Sequence, residues 1–198
     1  MKEQFLKHSL HFITTYQKDS CDEDTKERIL YGLEGLYLSF TKLFVLSIIA
    51  LLLGFFKEFI ITLVLFNILR YPGFGFHANN SKTCLIFSSL LILGLPFALH
   101  QFVLSFWVKA VLCGISIVCF IIYAPADTQK RPLTNPKKRK IRKICATILA
   151  IIYSSIILFT SNQTISQLFL GALLIETILI LPITYKLLKA PYGNYKMV

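Results

Sequence analysis

The stretch RYPGFGFHANNSKTC, residues 70–84, places an imidazole and a thiol, His77 and Cys84, seven positions apart at a turn directly before an apolar run. A thiol and an imidazole are the minimum for nucleophilic acyl transfer, in which a thiolate attacks a carbonyl and the imidazole moves the proton. On one continuous helix the two would share a face but lie ~10 Å apart at ~1.5 Å per residue, too far for direct proton transfer. The chain between them therefore has to fold back. Asn79, Asn80 and Ser81 favour turns and caps, and Ser81 suits the N-cap of a helix whose first turn holds Cys84. The positive end of that helix and a neighbouring imidazolium would both favour the thiolate. On spacing alone the commoner arrangement is a Cys84 that packs and a His77 that caps a turn.

The elements that must position this pair belong to a membrane protein. Apolar residues make up 55% of the 198-residue chain and charged residues only 16%, with a mean hydropathy of +0.64. The apolar residues gather into blocks at 36–56, 84–99, 102–123, 144–159 and 165–187, each near the ~20 residues that cross the hydrocarbon as helix. A shorter block, 59–69, runs into Arg70, Pro72, Gly73 and Gly75, so a short, broken or re-entrant helix is expected there. Residues 1–34 mix Phe5, Leu10, Phe12 and Ile13 with charges, which suits an amphipathic helix on the interface or a leader packed on loops. The first block follows a long mixed-charge stretch without a small-residue cleavage pattern, so the N-terminus is expected to be retained. The fold class is all-α, a polytopic integral membrane protein with six transmembrane helices and one domain over 1–198.

Charge sets the expected orientation. Lys130, Arg131, Lys137, Lys138, Arg139, Lys140, Arg142 and Lys143 stand against one acid, Asp127, so the loop 124–143 is expected in the cytoplasm. Counting back two spans places the catalytic loop 70–84 on the same side, and six spans leave both termini there. A basic surface of this kind contacts anionic lipids; without interleaved aromatics it does not suggest nucleic acid. Five cysteines with no CxxC pair suggest neither a zinc site nor a disulfide framework, and no cofactor is expected. Cys113, Cys119 and Cys145 lie in or at the ends of apolar helices and read as packing residues.

Two motifs give the pair a context. GFHA at 75–78 with Cys84 behind it, and YAPADTQKRPL at 123–133, resemble the two signatures of the accessory gene regulator B (AgrB) family in order and spacing. Arg70 occupies the place of a basic residue ahead of the first signature, while Phe74 stands where many members carry a second glycine. The resemblance covers nearly the whole chain. It implies a membrane cysteine endopeptidase with His77 and Cys84 as catalytic residues and Arg70, Gly75, Ser81 and Asp127 in support. It also implies a homodimer whose substrate is an AgrD-like propeptide, cleaved through a Cys84 thioester and closed to a thiolactone or lactone. Lys137, Lys138, Arg139 and Lys140 would attract an acidic tail on that substrate.

Asp127 could orient His77 or cap the turn after the fourth span, and the capping role is favoured. Glu176, read as mid-span, should face the bundle interior, find a polar partner or remain protonated, with helix-to-helix hydrogen bonding favoured. The rival reading is a small transporter or exporter, in which broken helices and Glu176 line a substrate path.

Overall fold

The computed structural model describes residues 4, 6, 8–10, 12, 23–75, 86, 87, 89–127, 133–188 and 190–193. Contacts divide the chain into two units, Met1–Ile49 and Ala50–Val198. Among the described residues the structure is helical, with no strand and one isolated parallel bridge, Phe74 to Ala126.

Helix α1, Glu23–Leu52, supplies most of the described part of the first unit. The end of the leader and the first apolar block thus form one helix of 30 residues. It stops where Gly54 takes φ 65°. The Gly54 amide then donates to Leu51 O and the Phe55 amide to Ala50 O, a Schellman cap that satisfies two terminal carbonyls.

In the second unit, α2 spans Phe56–Gly73, with Glu58 in its first turn and Arg70 in its last, both complementing the helix dipole. The expected short block 59–69 extends as helix by three residues at its start and four at its end. Pro72 falls in the final turn, where its missing donor costs a single bond, so the helix runs on before stopping. A π-turn, Leu90–Gly94, leads into α3, Leu95–Gln101, and the widened turn accommodates Pro96, which has no amide to donate. The last carbonyls of α3 are satisfied by Gln167, whose Nε2 donates to Leu99 O and Phe102 O.

Helix α4, Phe106–Tyr123, buries Lys109, Cys113, Ser116 and Phe120, a stripe at three- and four-residue spacing. Helix α5, Pro136–Phe159, starts within the basic run that the sequence suggested as loop. The Asn135 side chain accepts from the amides of Lys137 and Lys138, and Pro136 sits in the first turn, where no donor is needed. Helix α6, Gln163–Ile180, is buried over most of its length and packs against α2, α3, α4 and α5. It ends earlier than the expected block 165–187: Pro182 forces Leu181 into extended backbone, and a short α7, Pro182–Leu187, follows.

Among the described residues four helices are long and apolar enough to cross a membrane: Gly35–Leu52 within α1, α4, α5 and α6. Their outer faces carry large exposed apolar groups such as Phe40, Trp107, Ile148 and Phe159. Water would not tolerate so much apolar surface and lipid would, so the chain is a helical membrane protein.

Candidate functional site

His77, Ser81 and Cys84 lie in 76–85, outside the described residues. The segment that leads into that stretch is described, and the ends of α2, α4 and α6 meet around it with residues of α5 and α7. The Phe74 amide donates to Arg70 O at 2.9 Å and closes α2, with Phe74 itself at φ 63°. The Gly75 amide then donates to Ala126 O at 2.7 Å, and the Ala126 amide donates to Gly73 O at 3.0 Å. These two bonds join GFHA to the Ala-Pro-x-Asp segment that follows α4.

Gly75 has two reasons to lack a side chain. Its φ of 90° is one that L side chains rarely adopt, and a Cβ would strike the Arg70 guanidinium and come within 3.1 Å of Leu179 O. Gly73 is confined by a side chain alone, since a Cβ there would lie 2.5 Å from Glu176 Oε1.

Beneath this turn Glu176 is fully buried, with Oε2 3.6 Å from Arg70 Nη1. Neither carboxylate oxygen accepts a hydrogen bond from the described residues. The Arg70 guanidinium also lies over the Phe66 ring, 5.8 Å from its centroid. Glu176 is four positions from the end of α6, so its expected mid-span placement is corrected. The cause is the early stop before Pro182.

Asp127 is buried, and its Oδ2 accepts from the Leu133 amide at 3.3 Å. Tyr185, on α7 beyond the end of the membrane-crossing helix, donates its hydroxyl to Ala126 O at 3.2 Å and shares it with Asp127 O at 3.4 Å. Burial, the main cause, pushes this hydroxyl well above its ordinary pKa, against the lowering effect of Arg70. It therefore remains a donor throughout the physiological range.

From the other side, Arg142 Nη1 donates to Tyr71 O at 2.9 Å, and its guanidinium lies 4.5 Å from the Phe74 ring centroid. Lys137, Lys138 and Lys140 are exposed and Arg139 is half-buried, all on the first turns of α5. An apolar groove of ≈ 810 Å³ runs between α2 and α5, ending at Pro72 and Arg142. Cys145 lines it and is exposed, in contrast to its expected packing role, while Cys113 is buried.

Arg70, Gly75 and the Asp127 segment are thus brought together. Sequence reasoning does not single out Arg142 or Tyr185, and it leaves Glu176 without a named partner. For Glu176 the signal was present, because an acid within an apolar helix requires a counter-charge and Arg70 ends another helix.

The family model for accessory gene regulator B matches residues 8–180. The chain belongs to that family. An AgrB-like protein of Clostridium acetobutylicum is 32% identical over 169 residues, covering 85% of this chain and 80% of the relative. An AgrB-like protein of Listeria monocytogenes is 30% identical, covering 88% and 86%. Accessory gene regulator protein B of Staphylococcus aureus is 29% identical, covering 88% and 92%. No solved structure matches at comparable significance. The protein is therefore a membrane member of a quorum-sensing regulator family.

Proposed function

We propose that the protein is a membrane cysteine endopeptidase that cleaves an AgrD-like signal propeptide and promotes its cyclisation. The observation that carries the reading is the pair of bonds between Gly75 and Ala126 and between Ala126 and Gly73. Through them the two family signatures meet at the point from which the His77 loop departs.

The Cys84 thiolate adds to the carbonyl carbon of the scissile bond, with His77 holding the thiol proton. The C–N bond breaks, the imidazolium gives that proton to the leaving amine, and the N-terminal fragment remains as a thioester. An internal thiol or hydroxyl then attacks the thioester carbonyl and releases Cys84. The product is a thiolactone or lactone ring.

On this reading six spans place both termini and the catalytic loop in the cytoplasm, within a single domain over 1–198. The basic start of α5 faces anionic lipids and the acidic end of the substrate. The working unit is a homodimer.

Purified protein in proteoliposomes, with no ion gradient, is expected to cleave the precursor, whereas Cys84→Ala and His77→Ala cleave none while still inserting into the membrane. Cleavage by Cys84→Ala at a substantial rate overturns the proposal.

A further inference from the structure

Glu176 is a costly residue in a costly place. Its carboxylate is fully buried, accepts no hydrogen bond from the described residues, and lies near the C-terminal end of α6, where the helix dipole disfavours an anion. Arg70 at 3.6 Å offsets part of this. A buried ion pair nevertheless seldom outperforms an apolar pair of the same volume, so stability alone does not explain its presence.

What the pair touches offers an explanation. Glu176 Oε1 occupies the space where a Cβ on Gly73 would stand. The Arg70 guanidinium occupies the corresponding space beside Gly75. Carboxylate and guanidinium thus each abut one of the two glycines, and Gly73 and Gly75 are the residues that bond Ala126. Moving either charge by an ångström would move the turn from which the His77 loop leaves.

We propose that Glu176 is a positioning residue for the Cys84 site, acting through Arg70 to fix the backbone of the Gly73 to Gly75 turn. The proposal rests on the peptidase reading. It assigns Glu176 no contact with substrate.

The test compares E176Q, R70Q and the double variant R70Q/E176Q in proteoliposomes with the precursor, with Cys84→Ala alongside. R70Q removes the counter-charge of the fully buried Glu176 and is expected to insert poorly or melt early, whereas E176Q removes the buried acid and leaves the half-buried Arg70, with a smaller loss. The double variant removes both charges and is expected to recover the wild-type melting temperature. Its turnover should nevertheless remain about 100-fold down, the scale of an ångström's misplacement, with KM within about threefold of wild type. Alkylation of Cys84 by a small thiol reagent should slow in the same variant, while alkylation of Cys145 does not change.

A purely structural pair predicts that turnover and Cys84 alkylation recover together with melting temperature, and that result overturns the proposal. A double variant that stays unstable also overturns it, because the pair is then needed for folding. Cleavage by Cys84→Ala instead removes the peptidase reading, a failure seen in a different sample.

Discussion

Gly75 and Ala126 are joined at 2.7 Å by an amide-to-carbonyl bond, although they belong to segments on opposite sides of α3 and α4 in the chain. The Ala-Pro-x-Asp segment therefore does more than leave α4: it forms the backbone partner of the turn that starts the candidate catalytic loop. Each side of this bridge depends on an atom that cannot be substituted freely, which leads to the first prediction.

Gly75→Ala should impose both an unfavourable φ and a clash with Arg70 and Leu179 O. Strain of this kind costs about 1–3 kcal/mol. Cleavage should fall by more than about tenfold, because the turn must shift to relieve it. Thermal unfolding in detergent and precursor cleavage measure the two effects. Unchanged values for both would mean that the turn is not held as described.

Tyr185→Phe removes the hydroxyl that donates to Ala126 O and Asp127 O but keeps the ring, which packs edge-on against Tyr192. Ala126 O keeps the Gly75 amide as a donor, so the loss is that of one ordinary hydrogen bond, about 0.5–1.5 kcal/mol. The expected outcome is a lower melting temperature and a modest loss of cleavage, smaller than that of Gly75→Ala, since the bridge bonds themselves remain. A loss of cleavage equal to that of Gly75→Ala would give the hydroxyl a larger role.

Lys109 provides the contrasting case. Its Nζ donates to Gln163 Oε1 and Ser166 Oγ, both at 2.9 Å, at the start of α4 and α6, away from the ends where Gly75 and Ala126 meet. Lys109→Met should lower the melting temperature, by about 1–3 kcal/mol in stability, and leave turnover per folded molecule within about twofold of wild type. A change in KM or turnover beyond that range would couple the two ends of the bundle.

How much of this was legible in the sequence depended on the range of the physics. The apolar blocks that became α4 and α6 were visible because hydropathy is a local property, whereas the cap at Asn135-Pro136 went unread beneath its charge run, which was expected as loop. The extent of α2 was not legible, because Pro72 is tolerated or disruptive according to its place in the last turn, and that place is set by packing. The break at Leu181 had its signal in Pro182, but the hydrophobic run around it concealed the stop. Arg70 and Glu176 were each recognisable as unusual. Their pairing was not, because a tertiary contact across so much chain leaves no periodicity.

Thiol reactivity separates activation from simple exposure. Cys145 is exposed and Cys113 buried, so accessibility alone would make Cys145 the faster of the two. Cys84 is expected to react faster than either with a charged alkylating reagent, because a thiolate beside His77 is the nucleophile whereas a neutral thiol is not. Mass spectrometry at short times gives the order. If Cys145 leads, exposure governs and Cys84 is not activated, as a transporter would predict.

The final prediction concerns the fate of the broken bond. A peptidase that forms a ring must retain the energy of the peptide bond, and a thioester on Cys84 retains it because a second thiol or hydroxyl attacks a thioester far faster than an amide. Water competes for the same carbonyl, so the site must exclude it for as long as the intermediate lives. If the internal nucleophile of the precursor is changed to Ala, cleavage should proceed to the thioester and stop. Wild-type protein should then carry a mass increase equal to the N-terminal fragment, mapped to Cys84 and removed by hydroxylamine, which attacks the carbonyl and frees the thiol. Cys84→Ala should carry none. Cleaved precursor with no adduct at any early time would mean that water takes the acyl group directly, which would remove the cyclisation step and leave the peptidase step intact.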